Sequence, residues 1–381
     1  MKLRYYLWLI LLFSCKDKYY PDIPSTGTGY LVVEGVLNAG EGATSLTLSR
    51  TMPLNKSSQP VYESGAMVTV EGSDNSTKAL TMNSPGVYVN EGLGLSPDIQ
   101  YRVRINTADG KEYLSDFVKV KVTPPIDSIG WKQSDAGVQV YVNTHDPSNN
   151  TVYYKWDFDD VWEIHSAYQS SLIYDPASPA ADPYGVRPRL FPQEDVYACW
   201  KYGRSTSILI GSSAKLTSDV IYQNTLKSIP AGDEQLSVLY STLVRQYALD
   251  KAAYEFYDLM KKNTESLGTI FDPMPSELRG NIHNTTDPGD IVIGFISAST
   301  VVQKRVFIAR PADWSFGMYC TTTFVPENRD STQFYFKNIY IPIVNSNREF
   351  PPAKGYDAAT PFCVDCRSRG GDTQKPSYWP Q

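Results

Sequence analysis

The chain has 381 residues, of which 41% are hydrophobic and only 20% charged, and its formal net charge is −6. That is enough apolar chain for two modest cores, and no Lys/Arg run follows the first residues, which argues against nucleic acid as a partner. Tyr (27) and Pro (26) are abundant, a composition that suits strands and turns better than long helices.

At the N-terminus, Lys2 and Arg4 precede the apolar run 5–13, which ends in Leu12-Phe13-Ser14-Cys15. A basic stretch followed by a short apolar run is a secretory signal, far below the ~20 residues a spanning helix needs. The small Ser14 before Cys15 completes a lipobox, so the expectation is cleavage after residue 14 and a lipid anchor on Cys15. Acylation holds a protein to a membrane without spanning it. Residues 16–29, polar and rich in Pro, Gly, Ser and Thr, read as a tether.

Strand-like runs follow at 30–38, 45–50, 66–72, 78–82, 86–91, 99–106 and 112–122. Alternation is clearest where Tyr101, Val103 and Ile105 share one face, and turn words such as Ala108-Asp109-Gly110 separate the runs. Thr123-Pro124-Pro125 breaks the pattern, because consecutive prolines cannot continue a central strand. The expected fold class is therefore mainly β, with two β-sandwich domains of immunoglobulin-like type at 30–123 and 126–381.

In the second body, 126–131, 137–143 and 152–164 are strand-like, with Tyr154, Trp156 and Phe158 on one apolar face. Residues 175–192 are dense in Pro, Ala, Ser and Asp and read as a long surface loop. Residues 237–248 fit both strand and helix spacing. An N-cap at Asp250 decides for a strand followed by a helix at 251–265, stopped by Gly268. Strands return at 291–297 and 304–309, and the chain closes in an irregular Pro- and Cys-rich segment.

With Cys15 assigned to lipid, Cys199, Cys320, Cys363 and Cys366 remain. An even number in an exported chain reads as up to two disulfides with three possible pairings. The pairing that spacing suggests closes Cys363 on Cys366 and leaves Cys199 with Cys320. Zinc is disfavoured, since there is no second Cys-x-x-Cys and the histidines, His145, His165 and His283, are scattered. No metal or cofactor is expected.

Catalytic wording is missing: there is no nucleophile elbow, no His-Glu-x-x-His and no phosphate loop. The candidate for chemistry is the carboxylate cluster Asp157, Asp159, Asp160 and Glu163, with 157, 159 and 163 on one strand face; the competing reading is a solvated outer face. Trp162, Tyr168, Tyr174 and Tyr184 flank the long loop and are the candidates for a ligand-binding aromatic platform.

Ordered words along the chain carry a wider likeness. They are Leu31-Val32-Val33-Glu34-Gly35, Lys155-Trp156-Asp157-Phe158, Cys199-Trp200, Tyr240 through Tyr247, Gly268-Thr269-Ile270-Phe271-Asp272-Pro273, Gly280-Asn281-Ile282, Ile293-Gly294-Phe295 and Cys363-Val364-Asp365-Cys366. In this order they resemble the DUF4249 family of Bacteroidota lipoproteins. The resemblance implies an outer-membrane, surface-exposed accessory of a TonB-dependent receptor, with no activity to carry over. In that phylum acidic residues after the lipidated cysteine favour display, and Asp17 between Lys16 and Lys18 departs from the pattern. Asp127-Ser128-Ile129 and Asp330-Ser331-Thr332 resemble its short O-glycosylation words. The expected function is non-enzymatic ligand binding or accessory work for the transporter, with adhesion or envelope scaffolding, and a hydrolase, as alternatives.

Overall fold

A computed structural model describes residues 29–52, 60–265 and 278–380. Cys15, the tether to residue 28 and the Gly268 word lie outside the described residues. The architecture is mainly β. No described helix is long and apolar enough to cross a membrane.

The N-terminal unit is one curled sheet in which Val118–Lys121, Gln100–Asn106, Met67–Gly72, Thr77–Ser84, Val87–Asn90, Thr44–Arg50 and Leu31–Gly35 lie side by side, each antiparallel to the next. Burial alternates along these strands as period-two side chains require, and Tyr101, Val103 and Ile105 enter the core with Val68, Val70, Leu46 and Leu48.

This unit is completed by a much later segment. Ile282–Asn284 pairs antiparallel with Glu112–Ser115, Val292–Gly294 parallel with Leu31–Gly35, and Ala298–Ser299 parallel with both Leu37–Asn38 and Val118–Lys121. Ile282, Val292, Ile296 and Ala298 join the same core. Asn281 locks the return, donating through Nδ2 to the Ile296 carbonyl at 2.9 Å and accepting from the Ile296 N–H at 2.8 Å. At Gly294 (φ +148) a Cβ would lie 2.2 Å from the Val33 carbonyl oxygen, so only glycine permits that parallel approach. The division at 123/126 assigns this segment to the second body, whereas its strands pair into the first sheet. The pairing rests on strands of two or three residues, too short for local alternation to announce them.

Beyond Pro125, Ile126–Ser134, Gly137–His145 and Val220–Pro230 form one antiparallel sheet. It faces a second sheet of Ala198–Arg204, Tyr153–His165, Leu239–Ala248 and Val301–Ala309, with Leu209–Ser212 beside the long strand. Side chains of both sheets interdigitate: Val138, Val140 and Ile229 meet Trp162, Ile164 and Tyr240, and Val142 and Leu226 meet Tyr154, Trp156 and Phe158. The expected helix forms at Lys251–Glu265, capped by Asp250, whose Oδ1 accepts the Ala253 N–H at 2.7 Å.

The third unit departs furthest from expectation. Residues 175–185 form a turn-rich loop, as expected, but it closes a hairpin of Leu172–Tyr174 with Val186–Pro188, packed on a sheet of Thr323–Pro326, Ala353–Ala359 and Ile341–Arg348 and on the helix Arg329–Asn338. Asp182 organises the turn, accepting the N–H groups of Tyr184 and Val186 and the Tyr356 hydroxyl at 2.6 Å. The segment is thus folded polar chain whose order comes from tertiary contacts. The Asp330-Ser331-Thr332 word opens the helix with Thr332 fully buried, while Asp127 and Ser128 are exposed on a strand.

Disulfides join Cys199 to Cys366 and Cys320 to Cys363. The expected Cys363–Cys366 ring does not form, because extended Asp365 (φ −119, ψ 105) separates the helical turn Pro361–Val364 from the turn Cys366–Arg369. Cys363 packs with Ile343, Tyr168 and Cys320, whereas Cys366 enters the sandwich core beside Cys199. The Cα separations of 5.7 and 5.8 Å fit disulfide geometry.

Two outcomes follow from these contacts. Non-reducing peptide mapping should recover Cys199 linked to Cys366 and Cys320 linked to Cys363, and a Cys363–Cys366 ring would overturn the assignment. With loops of 167 and 43 residues, loss of either bond should cost roughly 4 to 5 kcal/mol in urea titration on loop-entropy grounds. Separately, Arg187 clamps Glu194 at 2.8 Å through both outer nitrogens and Asp175 at 3.0 Å through Nε. Its bonds, helped by the Leu190 N–H, hold the Glu194 carboxyl down at about 2. A depressed folded-state carboxylate stabilises above its unfolded value and loses that contribution as pH falls through the folded one. NMR titration of the Glu194 side chain should therefore give a midpoint near 2, and a midpoint near 4.5 would show the clamp does not form.

Candidate functional site

The strand Tyr153–His165 has two packed faces, and its outer face carries the candidate site. Strand pairing sets the layout in rows. Lys155 lies opposite Tyr247, Asp157 opposite Arg245, Asp159 between Leu243 and Arg204, and Glu163 opposite Trp200. Arg245 bridges the first two acids, its Nε 2.6 Å from Asp157 Oδ1 and its Nη1 2.7 Å from Asp159 Oδ2. Burial pulls this guanidinium down, but its bonds to the two carboxylates outweigh burial and raise it. Tyr247 donates its hydroxyl to Asp157 Oδ2 at 2.7 Å, and burial with the adjacent carboxylate pushes that phenol up, so it stays protonated.

The carboxylate cluster thus splits into three environments. Asp157 and Asp159 form the ion-paired outer face with Arg245. Asp160 points inward and is 2% exposed, ion-paired to Lys227 and accepting the Tyr240 hydroxyl. Glu163 lies under the C-terminal tail, bonded to His165 at 2.7 Å and accepting the Trp379 indole N–H at 2.9 Å. The His165 bond, opposed by burial and aided by Trp379, lowers the Glu163 carboxyl. The expected face of 157, 159 and 163 exists, but the tail cuts Glu163 off from the other two.

Opposite Lys155 and Asp157 stands the N-terminal unit, which brings Glu34, Gly35, Asn38 and Glu41 across a cavity of about 480 Å³. A second space of about 290 Å³ shares Glu34, Gly35, Lys155 and Asp157 with it and continues into an apolar annex of Ile208, Phe256, Tyr257, Met260 and Phe295. Such dimensions suit a small ligand. Lys155 stands at the junction, its ammonium 5.0 and 5.1 Å from the ring centroids of Tyr247 and Tyr257. It makes no ion pair among the described residues.

The four aromatic candidates do not share a surface. Trp162 is in the sandwich core, Tyr168 donates to the Cys320 carbonyl beside a disulfide, Tyr174 packs on Phe336, and Tyr184 is half-buried in the hairpin turn. Among the described residues no group of three or more His, Cys, Asp or Glu is placed to hold a metal ion. Sequence reasoning missed Lys155, Arg204, Arg245, Glu34 and Glu41. The available signal was the Arg245, Tyr247 pair at i, i+2, which complements Asp157 and Asp159 once the register is known.

Replacing Arg245 with Met should leave two adjacent carboxylates without the cation that bridges them, with only the Tyr247 hydroxyl on Asp157 and the distant Arg204 near Asp159. Because the three side chains are 26%, 28% and 37% exposed, solvent screening limits the loss to about 1–2 kcal/mol by urea denaturation. Adding Asp157→Asn to that variant should recover part of it, and full additivity of the two changes would show that the bridge is not coupled.

A family model described as a domain of unknown function, DUF4249, matches residues 16–305, a span that holds both walls of the cleft and the hairpin of the third unit but stops short of that unit's three-stranded sheet and helix. A search of curated proteins finds no relative of the chain.

Proposed function

The chain belongs to the DUF4249 family, and from that premise we propose that it is a non-enzymatic envelope lipoprotein, tethered through Cys15 at the outer membrane and displayed at the cell surface. Its task is to capture a small polar ligand for a TonB-dependent transporter. The observation that carries the reading is the cleft between the N-terminal unit and the outer sheet face. It is of ligand size and pairs a charged chamber with an apolar annex. The acids nearest to it are engaged by Arg245 and Tyr247, an arrangement that suits a fixed electrostatic wall rather than a proton-transferring pair. The short signal ending in Ser14-Cys15 supports the anchor, and the transporter partnership rests on the family resemblance.

Affinity capture from detergent-solubilised outer membranes should recover a TonB-dependent receptor with the protein, and its recovery alone in several detergents would count against the partnership. The variant Cys15→Ala should lose lipid labelling and membrane retention, and normal retention would refute the anchor. External protease should digest the protein on intact cells; protection until the outer membrane is broken would place it in the periplasm.

A further inference from the structure

The two walls of the cleft carry opposite charges that do not meet. From the sheet come Lys155 and Arg204, while Arg245 and Asp157 cancel one another. From the N-terminal unit come Glu34 and Glu41, both exposed. Among the described residues neither glutamate makes an ion pair, Lys155 makes none, and Arg204 reaches only Asp159 at 3.8 Å with its side chain 83% exposed. An ammonium held on two ring faces keeps N–H donors without an acceptor, and opposite charges facing each other across a gap favour whatever neutralises both at once.

Resting on the reading of this cleft as a ligand site, we infer that its ligand is zwitterionic, a short peptide or α-amino acid with an apolar side chain. Its carboxylate accepts from Lys155 and Arg204, its ammonium faces Glu34 and Glu41, and its side chain enters the annex between Phe256, Tyr257 and Phe295. A neutral sugar would leave both charged walls unanswered and the annex without an apolar partner. A simple anion would satisfy one wall and be repelled by the other.

Isothermal titration calorimetry of the purified mature chain with dileucine, N-acetyl-dileucine, dileucine amide and maltotriose separates the outcomes. Dileucine should bind, and capping either end should weaken it roughly tenfold or more, since each cap removes a charge-assisted contact. Lys155→Gln should weaken dileucine while leaving dileucine amide little changed, and Glu34→Gln should do the same with N-acetyl-dileucine as the insensitive probe. Should a variant fail a thermal-melt check, the capped probes on the native chain carry the test alone. Equal affinity for capped and free peptide overturns the zwitterion assignment. Binding of maltotriose without dileucine, lost on mutation of the cleft, overturns it too but leaves the small-ligand reading standing. No binding of any probe, with no shift of cleft resonances in NMR spectra, overturns both.

Discussion

The pairing of Tyr153–His165 with Leu239–Ala248 over nine registered residues is the constraint from which the other features follow. At its buried end, Trp156 donates its indole N–H to Gln246 Oε1 at 2.8 Å. Gln246 in turn donates to the Pro124 carbonyl at 2.9 Å and to Thr144 Oγ1 at 3.0 Å. The Ala248 N–H reaches Thr123 Oγ1 at 3.0 Å, and Thr300 Oγ1 accepts from Thr123 N at 2.8 Å. A buried amide with every partner supplied is costly to disturb. This one holds the Thr123-Pro124-Pro125 connection against the sheet, so the prolines act as a pinned joint rather than a free linker. The same strand pair that fills the sandwich core therefore sets where the N-terminal unit stands over the outer face, and so the width of the cleft.

Period two along that strand decides what its acids do. Asp157 and Asp159 point outward to Arg245 and partial solvent, where an ion pair is cheap to maintain. Asp160 points inward, where a carboxylate is tolerated only with Lys227 and the Tyr240 hydroxyl around it. Burial and the adjacent Asp160 push the Tyr240 phenol up, which keeps it a donor. Lys227 also lies over the rings of Phe158 and Tyr240, at 5.7 and 5.3 Å from their centroids. Adjacent acids in one word thus serve a core contact and a cleft wall.

Local pattern made the strands and the one long helix legible: alternation at Tyr101, Val103 and Ile105 marks a core face, and Asp250 resolves the ambiguity before Lys251. It did not reach the return of 282–299 to the first sheet, because two- and three-residue strands carry too few side chains for a period. The helix Arg329–Asn338 was hidden for a related reason. Its apolar stripe is little more than Thr332 and Phe336, though Asn328, whose Oδ1 accepts the Ser331 N–H at 2.9 Å, was a readable cap. Composition marked the loop at 175–192 but not the short strand Val186–Pro188 within it, since Asp182 and Arg187 order a polar hairpin that hydrophobic patterning cannot see. The cleft was legible on neither wall, since only tertiary placement brings Lys155 and Glu34 to line the same space.

The C-terminal segment explains why only part of the outer face is available. From Cys366, bonded to Cys199 in the sheet, the chain turns through Gly370 and Gly371 and pairs Asp372 with Trp200. A Cβ at Gly371 would lie 2.5 Å from Cys199 Cβ, so the tail leaves the disulfide at a distance only glycine allows. It then lays Trp379 against Trp200 and Phe307 and Tyr378 over the Arg305 guanidinium. These contacts seal the rows at Val161 and Glu163 with an aromatic cover, as the N-terminal unit roofs the rows at Lys155 and Asp157. One roof is packed at Trp379, which is 5% exposed, and is fastened by a covalent bond. The other stands off by a ligand-sized space with unanswered charge on both sides. A sheet face covered at both ends by different parts of one chain, closed at one and open at the other, leaves its open end as the place for the recognition we propose.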